Sequence, residues 1–181
     1  TPWVLQSTWE DIYIRRADGG ACTAGIIAQD ALLTAAHCLP ERFLTEAPFP
    51  GGPLDLQVMA SRKLADGVFQ CLFNPFLTGS TAASACGGQT VYARAFWHPD
   101  AEWRGDDNNS KADIAVLRFL WTDSRGRRIN TQDLSWIFSG EMIGYGYGSV
   151  GGGSVSGKPR YGNFTREEYV EGQYMVSNSN H

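Results

Sequence analysis

Apolar and polar residues alternate with a period of two along much of this chain, and that alternation limits what it can fold into. Ile12 and Ile14 alternate with Tyr13 and Arg15, and Leu54, Leu56 and Val58 alternate with Asp55 and Gln57. Val91, Ala93, Ala95 and Trp97 share one face of Thr90–Trp97. Successive side chains of a strand point to opposite faces, so each run predicts a strand with one buried face. Cys22–Ile27 and Ala31–Thr34 read as short apolar strands around a turn at Gln29-Asp30. Asp113–Leu120 reads as a buried strand and Glu141–Gly146 as another. Turn-rich connections separate them at Pro48–Pro53, Thr78–Gln89, Gly105–Ser110 and Gly148–Tyr161. Thr165, with Glu168 three residues later, has the pattern of a helix capping box. It competes with a strand through Tyr169–Val176, and the strand is preferred. The 21 glycines and 19% charged residues suit a loop-rich β protein better than a helical bundle. With 181 residues, 43% of them hydrophobic, the chain can bury one substantial core or two small ones. The expected class is all-β, with short strands, long loops and no internal repeat.

The four cysteines fall by position into two local pairs, Cys22 with Cys38 and Cys71 with Cys86. Neither pair has the Cys-x-x-Cys spacing of a metal site. In an oxidising compartment these are the natural pairings, and a bridge closing a loop of about 15 residues contributes roughly 3 kcal/mol. In a reducing compartment the same residues read as buried thiols. A net charge of −4 and a pI near 5.3 give no general attraction to nucleic acid. The densest basic cluster, Arg125-Gly126-Arg127-Arg128, is short and reads as a solvated turn. No apolar run approaches the roughly 20 residues of a membrane span. Thr1-Pro2-Trp3 is not a signal peptide, so any targeting segment is expected outside these residues.

Three decoys fall away. Gly146-Tyr147-Gly148-Ser149-Val150-Gly151 matches a dinucleotide fingerprint, but glycines and serines come next where the motif requires a helix. Asp106-Asp107-Asn108-Asn109 lacks the sixth-position glycine of a calcium loop and reads as polar surface. His37, His98 and His181 are dispersed, with no pair at ligand spacing, which argues against zinc.

Two short segments carry chemistry. Leu33-Thr34-Ala35-Ala36-His37-Cys38 sets a histidine after an apolar run and just before a cysteine. Ala112-Asp113-Ile114-Ala115-Val116-Leu117 sets a lone carboxylate at the start of another apolar run. Taken singly, His37 reads as a hydrogen-bonded structural histidine and Asp113 as a strand-initiating cap. Together the segments resemble the His and Asp motifs of the chymotrypsin/trypsin-like serine proteases. Cys22-Thr23-Ala24-Gly25-Ile26-Ile27, His98-Pro99, Met142-Ile143-Gly144-Tyr145-Gly146 and the opening Pro2-Trp3 are similar to further family segments. The resemblance implies two antiparallel β-barrels with the active site in the cleft between them. Residues 1–122 would form the first barrel, and residues 123–181 the start of a second that is incomplete in this chain. It also implies that His37 is a general base and that Asp113 holds its tautomer and stabilises the imidazolium. A bridge at Cys38 would pin the histidine's turn.

The family's Gly-Asp-Ser-Gly-Gly nucleophile segment has no counterpart in the sequence. Ser149, Ser154 and Ser156 lie in a Gly-rich stretch without the Gly-x-Ser-x-Gly elbow. Tyr174-Met175-Val176-Ser177-Asn178 resembles the strand running towards that segment, so the serine is expected beyond His181. The family's freed Ile/Val-Val/Ile-Gly-Gly amino terminus is not matched by Thr1-Pro2-Trp3. The resulting expectation is a secreted trypsin-like serine endopeptidase that cleaves polypeptides through an acyl-enzyme. It would need no cofactor and engage neither nucleic acid nor membrane, and a further segment or a second chain would supply its serine. The alternative is a catalytically silent protease-like domain acting as a binding or regulatory module. A third is an unrelated secreted β-sandwich carrying the motifs by coincidence.

Overall fold

The structure is a computed structural model that describes residues 3–4, 12–16, 20–28, 30–40, 43, 49–64, 66–74, 76–101, 112–119, 141–147, 160–170 and 173–178. In chain order the elements are β1 (Trp3–Val4), β2 (Ile12–Arg16), β3 (Ala21–Ala28), β4 (Ala31–Thr34), β5 (Leu54–Lys63), β6 (Phe69–Cys71), β7 (Thr78–Gly79) and a one-turn helix α1 (Ala82–Ala85). They continue as β8 (Val91–Trp97), β9 (Ala115–Phe119), β10 (Glu141–Gly146), β11 (Arg160–Val170) and β12 (Gln173–Asn178). The chain is all-β.

Strands β2, β3, β4, β9, β8 and β5 pair in that order, and a further pairing of β5 with β2 closes them into a six-stranded antiparallel barrel. Closure removes the exposed edges an open sheet would carry. The length of β5 makes it possible. Its Leu54–Val58 half pairs with β8, while Val58–Ser61 pairs with β2 on the opposite edge. The far end, Ser61–Lys63, carries β6, which in turn carries β7. A second, small sheet centres on β11, which pairs antiparallel with β1, β10 and β12. Trp3–Val4 therefore joins the small sheet and not the barrel.

The two-residue period places the expected face inward. Ile12 and Ile14 of β2, Leu56, Val58 and Ala60 of β5, Ala93, Ala95 and Trp97 of β8, and Ala115, Leu117 and Phe119 of β9 form one core with Ala24, Ile26 and Leu32. The alanines sit beside the large residues because a narrow barrel cannot take a bulky side chain at every inward position. Burying each large side chain contributes roughly 1.5–3 kcal/mol.

Both local cysteine pairs are bridged: Cys22–Cys38 with Cα atoms 6.1 Å apart, and Cys71–Cys86 with Cα atoms 5.0 Å apart. Thr78–Gln89 is more ordered than a turn-rich connection, since it contains β7 and α1. Thr81 caps α1. Its hydroxyl accepts from the Ser84 amide at 3.0 Å, and the Ser84 hydroxyl accepts from the Thr81 amide at 3.0 Å. This is a capping box closed by serine in place of the usual Glu or Gln. Thr165 and Glu168 lie within β11, and the run Tyr169–Val176 is shared between the end of β11 and β12, paired back on it. The Asp106–Asn109 stretch, the Arg125–Arg128 cluster and Ser149, Ser154 and Ser156 lie outside the described residues. No helix among the described residues is long and apolar enough to cross a membrane.

Candidate functional site

The register of β4 against β9 sets the site. Thr34 pairs with Ala115 and Leu33 with Val116. Continuing that antiparallel register by two or three residues brings the segment leaving β4 alongside the segment leading into β9. His37 and Asp113, 76 positions apart, meet there. The ring Nδ1 of His37 lies 2.6 Å from Asp113 Oδ2, and the His37 backbone N–H donates to Asp113 Oδ1 at 2.8 Å. One carboxylate thus grips both the ring and the main chain of the same histidine. In the neutral ring facing an ionised carboxylate, this contact suits the tautomer with the proton on Nδ1, which leaves Nε2 as the acceptor.

Both segments are locally constrained. Ala36–Cys38 is a single 3₁₀ turn, with the Cys38 amide donating to Ala35 O at 3.1 Å and the Leu39 amide to Ala36 O at 3.0 Å. The Cys22 bridge ties this turn to β3, and the Arg16 guanidinium donates to the Cys38 carbonyl. On the other side, Ala112 has the left-handed φ of 55°, which is uncommon for a residue with a Cβ. The Ile114 amide then donates back to Ala112 O at 2.8 Å, so the chain folds tightly around Asp113. Asp113 and Ile114 therefore precede β9 and are not part of it, which frees the carboxylate from the sheet. Unusual backbone of this kind gathers at functional positions. The pair is accessible: the side chain of His37 is 46% exposed and that of Asp113 25%.

His37 borders a cleft of about 320 Å³, walled by Thr23, Ala35, the Cys22–Cys38 bridge, Tyr13 and Tyr147. Tyr147 comes directly after β10, and sequence reasoning assigned it no role beyond the rejected glycine motif. Its backbone N–H donates to Thr23 Oγ1 at 2.9 Å and its hydroxyl accepts from the Lys63 amide at 3.1 Å. Its ring packs 5.5 Å from Tyr13 and 6.2 Å from Phe69. The alternation puts Tyr13 outside the barrel, yet it is buried because Tyr147 and Phe69 cover it. The one sequence signal was a bulky aromatic set between Gly146 and Gly148 directly after an apolar strand.

Ligand atoms of Cys22, His37 and Cys38 cluster within 4.8 Å. Both sulfurs are spent in the disulfide, so only the imidazole could bind a metal, and the donor set does not fit one. No serine is among the described residues lining the cleft with His37. His98 stands apart from the pair; its Nδ1 accepts from the Asp100 amide at 3.0 Å, while its own amide donates to Ile114 O at 3.3 Å. The chain matches no family model and no curated protein at a significant level.

Proposed function

We propose that this chain supplies the base and orienting carboxylate of a secreted serine endopeptidase of the trypsin-like type. The observation that carries the reading is the double grip of Asp113 on His37, at 2.6 Å to the ring and 2.8 Å to the main chain. In this reading the barrel of β2–β5, β8 and β9 is the first of two, residues 123–181 contribute to the second, and residues 1–122 carry both groups. The nucleophilic serine comes from residues beyond His181 or from a second polypeptide.

His37 Nε2 takes the serine proton as its oxygen attacks the scissile carbonyl, and the imidazolium so formed is stabilised by Asp113. Collapse of the tetrahedral intermediate releases the amine, which leaves with the proton returned by His37. Water then enters by the same base catalysis, frees the acid and restores the serine. The oxyanion donors belong with the serine segment. Two disulfides suit an oxidising, extracellular setting.

The test is reaction of the native protein, its serine-bearing segment in place, with a fluorophosphonate. A covalent adduct that disappears in His37→Ala supports the proposal. A folded protein that takes no label overturns it, and leaves the silent protease-like binding module as the better reading.

A further inference from the structure

On the outer wall of the barrel, far along the strands from Asp113, a second cavity of about 340 Å³ is lined by Asp55, Tyr92, Arg94, Phe96, Arg118 and Phe119. Its arrangement is dictated by register. Asp55 of β5 pairs with Arg94 of β8, and Arg94 pairs in turn with Arg118 of β9. Directly opposed residues on antiparallel strands project from the same face with Cβ atoms about 4.5–5.5 Å apart, and like charges there repel. Two arginines face each other across strands in this way. The repulsion is relieved from the outside: Asp55 Oδ1 lies 3.3 Å from Arg94 Nε, and Asp30 Oδ2 lies 2.9 Å from Arg118 Nη2. Among the described residues no further acid pairs with either guanidinium.

The surroundings are mixed in character. Phe96, half-buried on the outer row of β8, gives the cavity its aromatic floor, and the core residue Phe119 borders it from within the barrel. Tyr92 is exposed, and its hydroxyl oxygen accepts from Gln57 Nε2 at 2.8 Å, which leaves its own proton to donate. We infer that Arg94 and Arg118, together with the Tyr92 hydroxyl and Phe96, form a binding site for an aromatic carboxylate. A carboxylate placed between the two forks meets planar donors on both sides, and an aryl group beside it covers the phenylalanine floor. Asp55 and Asp30 already offset the two positive charges, so a carboxylate is held by the remaining guanidinium and hydroxyl donors, and a dianionic phosphate ester meets more repulsion from those acids than a monoanion does. The carboxylate has two sources, a free aromatic acid or the carboxyl terminus of a polypeptide ending in an aromatic residue. This inference is independent of the role given to His37.

The test is amide-shift NMR titration of the 181-residue chain with N-acetyl-L-phenylalanine, L-phenylalanine, N-acetyl-L-phenylalaninamide and phenyl phosphate. The expected result is saturable shifts in β8 and β9 from a carboxylate and none from the amide. Arg94→Gln/Arg118→Gln weakens binding roughly tenfold or more, and His37→Ala leaves it unchanged. Tighter binding of the N-acetylated acid identifies a polypeptide terminus, and tighter binding of L-phenylalanine a free acid. If the glutamine variant does not fold, Arg94→Lys/Arg118→Lys carries the test, because it keeps the charge and loses the fork, and it must still bind more weakly. Equal binding of acid and amide, tighter binding of phenyl phosphate, no binding at all, or full binding by a folded variant overturns the inference.

Discussion

Three adjacent residues with different roles build one side of the site. Ala112 supplies the backbone bend, Asp113 the carboxylate, and Ile114 the hydrogen bond that locks the bend. A left-handed residue with a Cβ costs about 1–2 kcal/mol, which glycine largely avoids. Ala112→Gly should therefore leave stability unchanged or raise it by up to ~1 kcal/mol, whereas Ala112→Val should lower it; chemical denaturation midpoints of the two variants check this. Under the proposed function, Asp113→Asn in the native protein with its serine-bearing segment should reduce turnover by about 10⁴-fold with thermal stability little changed, because the amide favours the wrong ring tautomer. A residue elsewhere on the barrel gives a pH signature. The hydrogen bond from Arg118 holds the Asp30 carboxyl below its ordinary value of 3.8. A depressed carboxyl contributes stability above its ordinary range and loses it as pH falls through the folded value. Asp30→Asn should thus lower the melting temperature at neutral pH and converge with the parent as pH drops below 3.8; melting curves across acid pH decide it. Taken singly, neither His37 nor Asp113 pointed beyond a structural role in the sequence; what singled them out was the joint resemblance of their two segments to the His and Asp motifs of a known family. Tyr147 was not singled out, because a tyrosine's partners lie outside its own segment.

Among the strands, β4 and β9 bring the pair together, and the Cys22–Cys38 bridge fixes the turn between them and the cleft. The bridges divide the work. Replacing Cys71 and Cys86 with serine opens the link between β6 and the segment after α1, and should cost about 3 kcal/mol in unfolding free energy while leaving the His37–Asp113 contact intact. Replacing Cys22 and Cys38 should cost a similar amount and also loosen His37, visible as line broadening of its ring signals. Equal behaviour of the two variants at His37 would refute this division. Strands with long alternating runs, such as those of β5 and β8, were readable because one barrel face is apolar throughout. β6 and β7 were not, since two or three residues cannot display a period, and α1 was hidden by a cap that uses Ser84.

Across the molecule, Tyr147 anchors the end of β10 to the barrel and closes one wall of the cleft. Its ring is almost fully buried, so Tyr147→Ala should cost about 3–5 kcal/mol. Tyr147→Phe, which loses the hydroxyl and with it the bond to Lys63, should cost about 1 kcal/mol. Hydrogen exchange at the Lys63 amide and across β2 should accelerate in the alanine variant first. The all-β class was plain from alternation, but barrel closure was not, because nothing in the composition of β5 says that its two halves serve opposite partners. The proposed mechanism stands or falls on whether Asp113 sets the proton on His37. The decisive measurement is ¹⁵N NMR of the neutral His37 ring in this chain and in Asp113→Asn. The expected spectra place the proton on Nδ1, with Nε2 unprotonated, and show that preference lost in the variant. A proton resident on Nε2, or a ring indifferent to the substitution, would refute the assignment.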